Sequence, residues 1–174
     1  MKKLYLLVAV WMYSLQLVVA QTCPYLTSST LSTNSNTYYP ANQSSLTAGS
    51  SSISLGPVPA GYGSTPIAKG DMLLIIQMQG AQIKSDNSNL YGANGSNGNG
   101  YLSNSLLYAG RMEYVVANNA VPVTGGALSL KTAVVNTYKN SAFGTDGQYG
   151  YQIIRVQLYY DLQLTGTISA TPWN

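Results

Sequence analysis

The sequence predicts an all-β domain with the architecture of an antiparallel β-sandwich. Several short segments alternate apolar and polar side chains, and turns rich in Gly and Asn separate them. No segment after residue 20 sustains the apolar spacing of an amphipathic helix. The chain contains 45% hydrophobic residues and 15 tyrosines, which is typical of a folded core rather than of a disordered chain. One end of a parallel β-helix is the alternative architecture.

The N-terminal segment has the three parts of a secretory signal peptide. Lys2-Lys3 forms a charged head, residues 4–19 form an apolar run, and the small residue Ala20 occupies the expected cleavage position. A transmembrane helix would need about 20 mostly apolar residues, and polar side chains interrupt this run. We therefore predict cleavage after Ala20, a secreted or cell-surface location, and no membrane span in the mature chain.

Residues 21–50 are dense in Ser, Thr and Asn, and this composition predicts an extended leader or an edge segment. Cys23 is the single cysteine of the chain, so it cannot form an internal disulfide and the stability of the fold must come from its core. Pairing of Cys23 with a cysteine of another chain, or with one outside this sequence, is the alternative. We expect residues 51–174 to form one β-domain.

A short strand and then a long apolar run are predicted at the beginning of this domain. Ser51 to Leu55 predicts a short strand, which a segment rich in Gly and Pro at 56–63 then ends. Gly70-Asp71 predicts a turn that begins the run Met72 to Gln79, and Gly80 ends that run. Such a run is either a strand buried on both faces or a short helix. Its length and flanking glycines favour the strand, which we assign to the centre of the sheet.

A loop rich in Asn and Gly at 84–110 precedes the next strand. Met112 to Ala117 alternates, with Met112, Tyr114 and Val116 on one face and Glu113 and Val115 on the other. This alternation predicts a half-buried strand.

The C-terminal part predicts four more strands. Ala127 to Leu130 and Thr132 to Tyr138 are the first two, bounded by Gly125-Gly126 and by Lys139-Asn140. A turn at Gly147 to Gly150 is expected to precede a long strand that extends to Tyr160. Leu162 to Thr165 forms the last predicted strand, which Gly166 ends.

The scarcity of charge limits the classes of partner. Charged residues make up 7% of the chain, and after cleavage six basic residues remain against five acidic ones. The six are Lys69, Lys84, Arg111, Lys131, Lys139 and Arg155. They form no basic run, whereas binding to a phosphate backbone requires clustered cations. We therefore predict no nucleic-acid partner.

The composition also limits the possible chemistry. The chain contains no histidine, which excludes Ser-His-Asp and Cys-His catalysis and histidine-ligated zinc. A glycosidase needs two carboxylates across a cleft. The five available are Asp71, Asp86, Glu113, Asp146 and Asp161. Turn and strand-edge positions account for most of them, and Glu113 is the catalytic candidate to mutate first, because a strand can hold a carboxylate rigidly. We predict no enzyme activity and no cofactor.

Two loop features are candidate binding sites. Asp86-Asn87-Ser88-Asn89 supplies oxygen donors that suit calcium, but it lacks the ordered acidic positions of an EF-hand, so a solvated loop is the simpler interpretation. The loop tyrosines Tyr91 and Tyr101 are the candidate ligand-binding residues, because a flat ring with a hydroxyl group can stack on a sugar or anchor a partner. Packing between strands is the alternative for the other tyrosines.

One sequence pattern resembles a known family. The pattern has four parts. It begins with the segment from Gly70-Asp71 through Gln77-Met78-Gln79-Gly80-Ala81 to Ile83 and continues with an Asn/Gly loop, Tyr114-Val115-Val116 and Ile153-Ile154-Arg155-Val156. It resembles the N-terminal region of large secreted or cell-surface proteins of Bacteroidota, which are adhesin-like or gliding-associated, and it covers residues 65–174. The resemblance implies no catalytic residues, and it implies that the protein continues beyond Pro172-Trp173-Asn174.

These observations lead to two functional hypotheses. The first is a non-catalytic structural or adhesive module at the exterior of a bacterial cell, whose partner is a surface glycan or another surface protein. The second is a carbohydrate-binding module that uses Tyr91 and Tyr101.

Overall fold

A computed structural model describes residues 27–80, 107–144 and 147–169. These residues form eleven strands and no helix. The strands are β1 (Thr27–Leu31), β2 (Thr37–Pro40), β3 (Ser45–Leu46), β4 (Ser52–Leu55), β5 (Met72–Gly80), β6 (Met112–Val116), β7 (Gly126–Ser129), β8 (Tyr138–Lys139), β9 (Ser141–Gly144), β10 (Gly147–Val156) and β11 (Tyr159–Leu164). Within these ranges, therefore, no helix is long and apolar enough to span a membrane.

The main sheet has the strand order β2-β10-β5-β6, and β9 also pairs with β10. All neighbours in this sheet are antiparallel. The apolar strand β5 lies between β10 and β6, with Ile75 opposite Ile153 on one side and opposite Glu113 on the other. The predicted central strand is confirmed.

A second layer covers one face of the main sheet. It consists of the antiparallel pairs β4–β7 and β3–β8 together with the loops around them. Apolar side chains from both layers form one core: Tyr39, Leu46, Ile53, Leu55, Ile67, Leu73, Ile75, Val115, Ala117, Val121, Leu128, Leu130, Val134, Tyr138, Tyr151 and Ile153. The predicted all-β, sandwich-like fold is therefore confirmed.

Strand β5 differs from the prediction in the burial of its two faces. Leu73 and Ile75 lie in the core, whereas Leu74 and Ile76 on the opposite face are only half-buried. The second layer covers the inner face of the sheet, and no described element covers the outer face to the same extent. The prediction that both faces are buried is therefore wrong.

An ion pair fixes the start of β5 against the end of β10. Arg155 Nε donates to Asp71 Oδ2 at 2.6 Å, and both side chains are buried. The same carboxylate oxygen accepts the Ala68 backbone N–H at 2.8 Å. Gly70 adopts a φ of +96°, which favours glycine. The predicted Gly70-Asp71 turn is confirmed.

The predicted leader also contributes to the domain. Residues 37–40 form the edge strand β2, which pairs with β10. Tyr39 and Leu46 are fully buried in the core. Their short apolar pattern is hard to recognise among the surrounding Ser and Asn residues.

Three other predictions are wrong. The predicted strand Thr132 to Tyr138 is a bent loop that becomes β8 only at Tyr138, because Glu113 accepts the N–H groups of Val135 and Asn136 instead of a neighbouring strand. The predicted turn Gly147 to Gly150 belongs to β10. The glycines of this segment lie where β10 pairs with β9 and where the register between β10 and β5 shifts, next to Tyr151. The long strand is also divided, since β10 ends at Val156 and β11 begins at Tyr159.

Several predicted features lie outside the described residues. They are the signal peptide 1–20, Cys23, the calcium candidate Asp86-Asn87-Ser88-Asn89, the carboxylate Asp146, the loop tyrosines Tyr91 and Tyr101, and the C-terminal Pro172-Trp173-Asn174.

Candidate functional site

The outer face of the main sheet is apolar at its centre. Leu74 on β5 lies between Ile154 on β10 and Tyr114 on β6, and Met112 lies opposite Ile76. Met112 and Tyr114 expose 60% and 61% of their surface. Strand β6 therefore presents Met112 and Tyr114 to solvent, while Glu113 and Val115 face the covered side of the sheet.

Beside this apolar centre the outer face forms a hollow with a volume of about 210 Å³, which we call the outer-face hollow. Three strands of the main sheet, the loop at 59–62 and the segment between β8 and β9 contribute to it. Its lining residues are Tyr38, Pro40, Pro59, Tyr62, Met78, Gln79, Asn140, Gln148, Tyr149, Gly150, Tyr151 and Gln152.

The strand register creates the floor of the hollow. Gln152 on β10 lies opposite Pro40 on β2, and Gly150 lies opposite Gln79 on β5. A Cβ atom at Gly150 would contact only the Gln79 side-chain oxygen, at 3.8 Å. Gly150 therefore leaves open space between the side chains of Gln79 and Gln152.

A loop fixed to β2 forms one wall. The Tyr38 N–H donates to the Tyr62 carbonyl at 2.9 Å, and the two rings pack edge to face with centroids 6.3 Å apart. Gly63 follows with a φ of +97°. A Cβ atom there would lie 2.5 Å from the Asn36 carbonyl oxygen and 2.6 Å from the Thr37 Cα. Only glycine fits this close approach, and the wall is consequently held in place.

The polar groups of the hollow are uncharged. Within the described part of the chain, the side-chain amides of Gln79, Gln148 and Gln152 make no hydrogen bond. Asn140 donates to the Ala41 carbonyl at 3.1 Å. The Tyr38 hydroxyl accepts from Asn34 at 3.0 Å and keeps its own hydrogen for donation. The hollow thus offers amide donors, amide acceptors and hydroxyl groups to a ligand.

A buried glutamine supports the floor from the inner face. The Gln77 side-chain nitrogen donates to the carbonyls of Gln79 at 2.6 Å, Lys139 at 2.7 Å and Gly150 at 3.1 Å. Its oxygen accepts the Lys139 N–H at 2.9 Å. These bonds tie β5, β8 and β10 together where their register is irregular, so the floor is rigid.

The catalytic candidate Glu113 has a structural role. Its carboxylate accepts the Val135 N–H at 2.8 Å, the Asn136 N–H at 2.9 Å and the Tyr138 hydroxyl at 3.0 Å. Burial, followed by the nearby Glu113 charge, raises the pKa of Tyr138. Glu113 faces the covered side of the sheet, away from the outer-face hollow.

The other described carboxylates do not join Glu113. Asp71 is engaged by Arg155, and Asp161 is exposed on β11. Across residues 27–80, 107–144 and 147–169, no group of three or more Cys, Asp or Glu side chains is placed to hold a metal ion.

The sequence indicates tyrosines as candidate binding residues, but it does not indicate the hollow. Tyr38 lines it, and the buried residues Tyr149 and Tyr151 contribute to its base. Tyr62 and the glutamines were not considered as site residues. Linear spacing gives no signal for them, because strand pairing brings together positions that lie far apart in the chain.

Comparison of the chain with protein-family models, with curated proteins and with solved structures identified no match.

Proposed function

We propose that this chain is a non-catalytic structural or adhesive module that is exported through the signal peptide 1–20 to the exterior of a bacterial cell. The three-part N-terminal pattern supports export. The low charge and the resemblance to surface proteins of Bacteroidota support a location at the cell surface. The partner is a surface glycan or another surface protein.

The exposed outer face of the main sheet is the observation that carries the adhesive role. Contiguous exposed apolar surface marks interaction sites in soluble domains. Here Met112 and Tyr114 are more than half exposed and adjoin the half-buried Leu74 and Ile76. A module that contacts neighbours through a flat surface would present such a face.

The use of the ionisable groups supports a non-catalytic role. The three acceptor contacts of Glu113 hold the loop before β8, and Asp71 joins the beginning of β5 to the end of β10. The carboxylates of Glu113 and Asp71 therefore both stabilise the fold.

An adhesion assay tests the role of the outer face. Beads coated with the mature chain should attach to bacterial cells, and the double variant Met112→Ser with Tyr114→Ser should attach several-fold less. Val135→Ser is the matched control, because Val135 is 80% exposed and its N–H bonds Glu113, which faces the covered side of the sheet. Equal attachment of the wild type and the double variant would refute the adhesive role.

Export has its own test. When the full chain is expressed in a Gram-negative host, the N-terminal sequence of the exported protein should begin at Gln21. Retention of the uncleaved chain in the cytoplasm would contradict export.

Carbohydrate binding is the second candidate function. The adjacent Tyr38 and Tyr62 rings and the unengaged glutamine amides of the hollow favour it. Tyr91 and Tyr101 remain predicted contributors. A glycan array with the wild type and with Tyr91→Ala and Tyr101→Ala tests them, and binding that is the same in all three proteins would remove these two residues from the site.

A further inference from the structure

We propose that the outer-face hollow binds one neutral sugar ring of a polysaccharide, with Gln79, Gln148 and Gln152 bonding its hydroxyl groups. This inference rests on the proposed role as an exterior binding module. It specifies the ligand class and assigns the site to residues other than Tyr91 and Tyr101.

The chemistry of the lining selects the ligand class. No charged side chain is present among the residues that line the hollow, so the lining itself offers no cation to a phosphate or carboxylate ligand. A purely apolar ligand would shield the glutamine amides from water without replacing their hydrogen bonds. Each amide offers both donors and an acceptor, as adjacent sugar hydroxyls also do. A neutral polyhydroxylated ring satisfies both conditions.

The apolar part of the lining fits the remaining surface of such a ring. Tyr38 and Tyr62 lie on one wall, with Pro40, Pro59 and Met78 beside them. These groups can pack against the C–H faces of a sugar while the glutamines contact its hydroxyls. Most ligand pockets combine apolar walls with a few polar groups that set orientation.

The size of the hollow limits the ligand to a small unit. Its volume is about 210 Å³, which is below the range of about 300 to 1,000 Å³ that is usual for drug-sized ligands. One ring enters, and the neighbouring rings of a polysaccharide would extend over the outer face.

The hollow is also held in shape before any ligand binds. Gly63 allows the Tyr62 loop to lie directly against β2, and Gln77 fixes the floor from below. A rigid site avoids the entropy cost of ordering on binding.

Affinity electrophoresis of the mature chain tests the proposal. The gels contain dextran, mannan, laminarin or xylan as neutral probes, and alginate as the acidic probe. We expect at least one neutral polysaccharide, but not alginate, to retard the protein. Gln148→Leu and Gln152→Leu should each weaken this retardation about tenfold, as expected for the loss of hydrogen bonds to the ligand. Gln163→Leu, on the exposed strand β11, should leave it unchanged.

Three results would overturn the proposal: no retardation by any neutral probe, retardation by alginate alone, or neutral binding that both hollow variants retain. Gln148 is exposed, so its variant is expected to fold, and circular dichroism verifies the fold of each protein. If no probe binds while bead adhesion still depends on Met112 and Tyr114, the sugar site is refuted and the adhesive module stands.

Discussion

At the residue scale, two buried tyrosine hydroxyls differ in their hydrogen bonding. The Tyr138 hydroxyl donates to Glu113 at 3.0 Å. The Tyr151 hydroxyl is buried and has no hydrogen-bond partner among the described residues. Gln43 lies near it and bonds the Ser45 carbonyl and the Ser54 N–H, but it makes no hydrogen bond of acceptable geometry to the Tyr151 hydroxyl. The Tyr138 hydroxyl therefore stabilises the fold, whereas the Tyr151 hydroxyl destabilises it.

Removal of each hydroxyl should change stability in opposite directions. Tyr151→Phe removes an unsatisfied polar atom and should raise the free energy of unfolding by about 1 kcal/mol. Tyr138→Phe removes one hydrogen-bond donor from the part-buried Glu113 carboxylate and should lower the free energy of unfolding by about 1 to 3 kcal/mol. Urea unfolding of residues 21–174 measures both. A loss of stability in Tyr151→Phe as large as that in Tyr138→Phe would show that the Tyr151 hydroxyl has a partner.

Alkaline pH should weaken the fold through the same tyrosines. Burial raises the pKa of Tyr151 to about 12, and it also raises the pKa of Tyr39 and of Tyr138. Each folded-state pKa lies above the unfolded value of about 10. The folded state therefore binds more protons above about pH 10, and its stability falls as pH rises from about 10 through about 12.

Unfolding free energies measured from about pH 8 to about pH 11 test this dependence. The decrease in unfolding free energy with pH should be smaller in Tyr151→Phe, because this variant lacks one of the tyrosine hydroxyls whose ionisation destabilises the fold. A constant free energy across this range would contradict the expectation.

At the element scale, the strands that sequence reasoning identified are those whose side chains follow a simple pattern. β5, β6 and β7 have continuous or alternating apolar residues, and a glycine lies within two residues of one end of each strand. The segment 132–138 shows a comparable pattern, but the distant carboxylate of Glu113 takes its N–H groups. A local pattern contains no information about a partner roughly twenty residues away. For the same reason the outer-face hollow could not be predicted.

The β1–β11 pair is the one parallel pairing among the described strands, and it forms a separate two-stranded sheet. Its strands pack mainly against each other. Tyr160 and Leu164 are 82% and 60% exposed. Two strands without a covered face are only marginally stable, and parallel strands are usually buried on both sides.

Hydrogen exchange should reveal this difference between elements. We expect backbone amides of Ser29 to Leu31 and of Asp161 to Leu164 to exchange at least about 100-fold faster than those of Leu73 to Ile76, because local opening exposes little apolar surface. Mass spectrometry of residues 21–174 measures the rates, with β5 as the internal reference. Equal protection would mean that another surface covers the β1–β11 pair in solution.

At the scale of the whole molecule, one core joins residues from distant parts of the chain. Leu46 on β3 lies opposite Tyr138 on β8, and Tyr39 on β2 lies opposite Ile153 on β10. All four belong to the same buried cluster. Since no internal disulfide is possible, this cluster must stabilise the domain. A polar segment such as 37–50 can therefore be structurally essential through two apolar side chains.

The last prediction tests this cooperative core. Leu46→Ala removes a fully buried side chain and should lower the free energy of unfolding by about 2 to 5 kcal/mol. Thr47→Ala, at the exposed neighbouring position, should change it by less than about 0.5 kcal/mol. Unfolding followed by tyrosine fluorescence and by far-ultraviolet circular dichroism should show one coincident transition in both variants. If Leu46→Ala left the transition unchanged, residues 37–50 would be a leader that the domain does not need. If its two signals separated, the two layers of the sandwich would unfold independently.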